Sequence, residues 1–228
     1  MLKRIAMAAA AAAGFCGAAL AQPAPAYIWS GYYLGGSIAA TYGTVDWEYW
    51  NLPGQTLTRH PAGVMFGAHG GYRVRQNDMV YGIELSWLSG LKVENTGPDA
   101  PIFAPAFDSY ARINSLVTVG PRLGWIVNER WQPYITGGFA GGEVLTSFFA
   151  KGFSPGFGNT VSGWHWGWFA GTGVDYAWTK STTIGLEYLH VDLNSELRSS
   201  TIVPAAGAAR YIEPSADILR VKLTFAIP

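Results

Sequence analysis

From Trp29 onward, bulky apolar residues recur at every second position in eight separate runs, with small or polar residues between them. Side chains of a β-strand point alternately to its two faces, so this period of two predicts strands whose faces differ in kind. One face carries Tyr32, Leu34, Ile38 and Tyr42 in the first run, Val64, Phe66 and Tyr72 in the second, and Tyr81, Ile83, Leu85 and Trp87 in the third. It continues with Val117, Val119, Leu123 and Trp125, then Ile135 and Phe139, then Trp168, Val174, Tyr176 and Trp178. The last two runs add Ile184, Leu186 and Tyr188, and Leu219, Val221, Leu223 and Phe225. Within these spans that face has no Asp, Glu, Lys or Arg. The other face holds glycines, Ser37, His69, Arg73, Glu84, Ser86, Thr118, Arg122, Asp175, Glu187, Arg220 and Lys222.

The runs are joined in a strict long and short rhythm. Long connections cover residues 43–61, 88–110, 144–163 and 192–214; short ones cover 74–78, 128–131 and 179–181. All the long connections then lie at one end of the sheet, as in a transmembrane barrel with tight turns on one side and long loops on the other. A soluble ligand barrel would turn its bulky residues inward and its charges outward. Here the charges share a face with the glycines, which suits the lumen of a narrow barrel that only side chains can fill. The fold class expected is all-β: an eight-stranded antiparallel up-and-down transmembrane β-barrel with four long extracellular loops and three short periplasmic turns. Aromatic residues gather at the strand ends: Tyr72, Tyr81, Trp125, Trp178 and Phe225 beside the short turns, and Trp87, Trp168 and Tyr188 beside the long loops. Two girdles at the membrane–water interfaces would place them so. Pro121 falls mid-strand on the apolar side, where it removes a ladder hydrogen bond, and a bulge there would change the facing of Arg122.

Composition adds a leader and removes several chemistries. Residues 1–21 read as a secretory signal peptide: Lys3 and Arg4, an Ala-rich apolar stretch, then Ala19-Leu20-Ala21 as a small-x-small cleavage pattern. Residues 22–28 read as a short extended tether, and 29–228 as the barrel. The one cysteine, Cys16, lies in the leader, so no disulfide, thiol nucleophile or cysteine metal site is expected beyond it. Setting aside Lys3 and Arg4 takes 15 basic and 15 acidic residues to 13 and 15, a net charge of −2, which is no footprint for nucleic acid. Glycine, at 29 residues, is abundant while charged residues are only 13%, so each charge inside the barrel needs a reason.

The candidate site is therefore the set of inward charges: Glu84, Arg122, Asp175, Glu187, Arg220 and Lys222. Facing one another across a narrow lumen they form an expected ion-pair network that plugs it. An ion or small-solute path through the same charges is the alternative. The histidines, His60, His69, His165 and His190, lack the spacing of a haem or metal site, and no metal or cofactor is expected. A lipid-modifying enzyme is the third reading. It rests on His190, Asp192 and Ser195, but on an extended strand His190 and Ser195 stand ~16 Å apart. The long loops, rich in aromatics and proline at 45–53, 97–107 and 148–158, are the expected surface for an extracellular ligand or lipopolysaccharide.

The stretches Trp131-Gln-Pro-Tyr-Ile-Thr-Gly-Gly-Phe-Ala and Gly167-Trp-Phe-Ala-Gly-Thr-Gly-Val-Asp-Tyr-Ala-Trp-Thr resemble the small outer-membrane immunogenic proteins of Gram-negative bacteria, a porin-like β-barrel family. So do Ile184-Gly-Leu-Glu-Tyr-Leu-His-Val-Asp-Leu, the opening Trp29-Ser-Gly-Tyr-Tyr-Leu-Gly-Gly, and Tyr81-Gly-Ile-Glu. The resemblance implies an eight-stranded barrel in the outer membrane, without an enzymatic role, assembled by the barrel-assembly machinery. It also implies company: outer-membrane lipid around the wall, and for some relatives a role as surface antigen, envelope stabiliser or haem binder. The chain departs from the class in following Phe225 with Ala226-Ile227-Pro228.

Overall fold

The computed structural model describes residues 29–49, 54, 56–90, 93–98, 106–154, 159–198 and 210–227. The expected signal peptide, the tether and the tips of all four long connections lie outside them. Eleven strands form one antiparallel sheet: β1 Gly31–Tyr49, β2 Thr56–Arg59, β3 Ala62–Gln76, β4 Met79–Gly90, β5 Glu94–Pro98, β6 Phe107–Trp125, β7 Trp131–Ala150, β8 Asn159–Ala177, β9 Thr182–Leu193, β10 Glu196–Arg198 and β11 Arg210–Ile227. Eight of them close a ring in the order β1, β3, β4, β6, β7, β8, β9, β11, with β11 pairing back onto β1. Closure matters because a membrane interior offers no partner for a free strand edge.

The stagger of the ring fixes its shape. Following paired residues once around, Leu34 leads through Gly70, Leu85, Val119, Phe139, Trp168, Asp192 and Ser215 to Thr44, ten residues further along β1. Ten residues of ~3.3 Å over eight spacings of ~4.8 Å tilt the strands by about 40°. The longest strand, β7, has 20 residues and so rises about 50 Å along the barrel axis. An apolar belt is only ~25 Å tall. About half of the wall therefore stands clear of the membrane on the long-loop side.

This corrects the expected loop boundaries. Much of 43–61, 88–110, 144–163 and 192–214 is strand, including the upper parts of β1, β6, β7, β8 and β11 and all of β2, β5 and β10. The reason is that alternation does not stop at the membrane; it changes sign. On β1 the outward Tyr32, Leu34, Ile38 and Tyr42 give way to Thr44, Asp46 and Glu48, while the inward side gains buried Val45 and Trp47. On β11 outward Leu219 gives way to Asp217 and Glu213, with Ile212, Ala216 and Ile218 buried inside. The lower barrel is apolar outside, as lipid requires. Its upper extension is apolar inside, as water requires.

Pro121 brings no bulge with it. Pro121 stands outward opposite Ile83, and the β6–β7 ladder skips it and Gly120, but the register is unchanged on either side and Arg122 stays inward. The register shift lies higher, between Ile113 and Ser115. The extra residue there reverses the parity of β6, turning Ala111 and Ile113 inward where Arg122 and Thr118 had used even positions. Above the ends of β3 and β4, Arg59 ties β2 to the β5–β6 side by donating to Ser109 Oγ at 2.6 Å and to the Pro98 carbonyl. Above the end of β9, buried Arg210 reaches from β11 to the Thr146 carbonyl of β7 at 3.2 Å.

A charge placed on the outward face should discriminate belt from extension. Leu85→Arg or Val221→Arg is expected to destabilise the folded barrel by ~2–4 kcal/mol, and Thr58→Arg to be near neutral, in urea titrations in lipid vesicles. Equal effects at both levels would remove the assigned membrane boundary.

Candidate functional site

Inside the lower barrel the structure brings the six inward charges into one cluster. Glu84 on β4 accepts from Arg122 Nη1 at 3.2 Å, Arg220 Nη2 at 3.0 Å and Lys222 Nζ at 2.5 Å. Glu187 on β9 accepts from Arg220 Nε at 2.5 Å and Lys222 Nζ at 3.3 Å, and Asp175 on β8 from Arg122 Nη2 at 2.5 Å. Three carboxylates thus face three cations, and every one of the six is buried. Each cation bridges two acids, Arg122 joining Glu84 to Asp175 and Arg220 and Lys222 each joining Glu84 to Glu187, so the network laces β4, β6, β8, β9 and β11 across the lumen.

Two tyrosines that sequence reasoning left out complete the cluster. Tyr33 Oη donates to Glu84 Oε2 at 3.0 Å, and Tyr134 Oη to Glu187 Oε2 at 2.7 Å, with the Arg122 guanidinium 3.4 Å from the Tyr134 ring centre. Their parity marked them as inward; their bulk disguised it, because the inner face otherwise read as small. The inner glycines explain how they fit. A Cβ on Gly173 would lie 2.5 Å from Tyr134 Oη, and one on Gly71 would lie 2.6 Å from Tyr33 Oη. Ser86 receives a bond from Arg220 Nη1 at 2.9 Å and lies 2.8 Å from Thr118 Oγ1, while His69 Nε2 meets Thr224 Oγ1 at 2.8 Å.

Apolar layers close the cluster above and below. Toward the short turns, Trp29, Val80, Ile126 and Ala177 pack together, and the Trp29 indole donates to the Glu129 carbonyl at 3.2 Å. Arg73 lies between the layers, 5.2 Å from the Trp29 ring and 5.0 Å from that of Tyr33. Toward the long loops, Met65, Leu88, Leu116, Phe169, Leu189, Val191 and Ile218 belong to a continuous buried core that runs up into the extension. This upper core is the largest feature that sequence reasoning missed. Its signal was the inverted alternation in the segments expected to be loops.

The girdle residues all stand outward. Tyr72, Tyr81, Trp125, Trp178 and Phe225 are exposed at the short-turn end, Trp87 and Trp168 are exposed at the other, and Tyr188 is half-buried. The histidines are dispersed: His69 and His165 inside at different heights, His60 outside against Tyr42, and His190 outside. His190 Nδ1 meets Asp217 Oδ1 at 2.8 Å, and Tyr188 Oη donates to the same oxygen at 2.7 Å. Among the described residues no hydrogen bond joins His190 to Ser195, so the His190–Asp192–Ser195 grouping of the third reading is not assembled; the acid beside His190 is Asp217. Parts of the loop surface expected at 45–53, 97–107 and 148–158 lie outside the described residues.

A closed antiparallel ring with an outward apolar belt, aromatic rims and a charged lumen defines an outer-membrane β-barrel. The model of the outer membrane protein β-barrel domain matches residues 7–209, and the chain belongs to that family. The 31 kDa outer-membrane immunogenic proteins of Brucella melitensis and Brucella suis are each 28% identical over 188 residues, covering 76% of this chain and 75% of theirs. Among solved structures, OprG of Pseudomonas aeruginosa aligns with a TM-score of 0.49 at 14% identity, covering 87% of this chain and 97% of that one. Neisserial surface protein A aligns at 0.45 with 14% identity, covering 87% and 98%. The protein resides in the outer membrane of a Gram-negative bacterium.

Removing one member of the network leaves its partners buried and uncompensated. Glu84→Ala or Arg220→Ala is expected to cost ~3–5 kcal/mol in urea unfolding of the reconstituted barrel. Surface Arg75, which pairs with Glu129 at 3.2 Å while partly exposed, should cost ~1 kcal/mol or less when replaced by Ala.

Proposed function

We propose that this protein is a structural or surface-interaction barrel, neither a pore nor an enzyme, whose work is done by the extension standing above the outer membrane. The observation that carries the reading is the stacking inside the barrel: a charge-balanced network with an apolar layer on either side of it. An ion entering from outside would have to cross the apolar layer around Phe169, Leu189 and Ile218 before reaching the network. An eight-strand ring offers no spare cross-section around it. The contrast with an open selectivity filter is one of both size and polarity.

The extension supports an outward-facing role. It carries a packed core of its own, with Val45, Trp47, Leu57, Val93, Ala111, Ile113 and Ile212 buried, so the long connections are held on a rigid stalk. Binding residues on loops gain precision when a rigid scaffold positions them. The Brucella relatives are named as immunogenic, and exposure of the same kind is expected for this stalk. Catalysis is disfavoured because, among the described residues, no hydrogen bond joins Ser195 to His190, whose partner is Asp217, so the nucleophile has no base in reach.

Planar-bilayer recording tests the reading. Purified wild type is expected to give no unitary steps. Reproducible steps that change with Glu84→Gln or Arg122→Ala would replace the plug by a narrow pore. A lipid A modification lost in a Ser195→Ala strain would replace it by an enzyme.

A further inference from the structure

The outward surface of β7, β8 and β9 differs from the rest of the rim. On β9 the outward residues turn polar at His190 and Asp192, and on β11 at Asp217. On β8 the outward column stays aromatic through Trp168, Trp166 and Trp164, reaching about 10 Å above Trp168 before Ser162. Trp164 and Trp166 stack with centroids 5.8 Å apart. On β7, Phe139 stands between Gly137 and Gly141 and is 77% exposed, and the Trp166 ring lies over Gly141, where a Cβ would come within 2.6 Å of it. The result is a groove of about 530 Å³ with Phe139, Trp166 and Trp168 as walls, the backbone of Gly138 and Gly167 as floor, and Asn194 at its edge.

The groove is continuous with the apolar belt at its lower end, so its environment there is the bilayer, and the chain it holds is an acyl chain. Its upper end selects the headgroup. None of β7, β8 and β9 contains a Lys or Arg. The charged or titratable groups facing outward around the groove are Glu143, Asp192 and the His190–Asp217 pair. Over these three strands a phosphate would meet carboxylates and no Lys or Arg; the outward Arg112 stands beyond them, on β6 opposite Leu145. Sugar hydroxyls can donate to those carboxylates and to the Asn194 carbonyl oxygen of the side chain, and a sugar face can lie on indole.

We propose that this groove binds one outer-leaflet glycolipid, with an acyl chain between Phe139 and Trp168 and a sugar against Trp166 and Asn194. The site is independent of whether the lumen conducts, so neither result decides the other.

The full chain, purified in mild detergent, is exposed to a diglucosyl diacylglycerol and to a phosphatidylglycerol with the same acyl chains, and lipids retained per barrel are counted by native mass spectrometry. Wild type should retain one copy of the glycolipid in preference to phosphatidylglycerol. Phe139→Ala with Trp166→Ala should lower retention roughly ten-fold, the loss expected when two aromatic anchors are truncated. Leu34→Ala with Phe66→Ala, outward in the belt on β1 and β3, should leave it unchanged. Electrophoresis with and without boiling checks that each variant is folded. Equal retention of the two lipids by wild type overturns the proposal without any variant, as does equal loss in the two double variants.

Discussion

A strand that crosses a membrane cannot leave its backbone hydrogen-bonding groups unpaired, because hydrocarbon supplies no substitute. Here that requirement is met by the β1–β11 pairing, which runs from Tyr32 opposite Ile227 to Tyr49 opposite Arg210 and removes both edges of the sheet. Closing eight strands with a stagger of ten residues leaves a lumen no wider than the side chains that fill it. Everything else follows from how that confined space and the two outer environments are populated.

The confined space explains a chemistry that would otherwise be costly. Burying six charges is unfavourable unless each finds partners. The ring supplies them because β4, β6, β8, β9 and β11 all point side chains at one axis. Glycines at positions such as 71 and 173 then become necessary, since Tyr33 and Tyr134 need the room a Cβ would take. The cluster is polar but closed, bounded by Trp29 and its neighbours below and by the Phe169 layer above.

The outer environments explain the wall. Below Tyr42, Trp87 and Trp168 the outward positions are apolar; above them most become polar while the inward positions become apolar. One continuous sheet therefore obeys membrane rules for part of its length and soluble-barrel rules for the rest. The bulge between Ile113 and Ser115 belongs to that change, since it lets β6 swap which parity it presents inside. The β8 tryptophan column is the place where the change is delayed.

The period-two pattern by itself determined the eight ring strands, the facing of Glu84, Arg122, Asp175, Glu187, Arg220 and Lys222, and the outward belt, because facing depends only on position along a strand. It could equally have marked Tyr33 and Tyr134, whose parity is inward. It did not carry past residue 43 or below residue 110, because a rule that expects bulky residues outside reads Val45, Trp47, Ala111 and Ile113 as loop. Only the tertiary structure decided which acid meets which base, since Glu84 and Lys222 are 138 residues apart and pair through ring closure and stagger. It likewise decided that His190 is held by Asp217, on a neighbouring strand, and not by Asp192, on its own. Facing is a local property of one strand; partnership depends on the register between strands, which no single run of residues encodes.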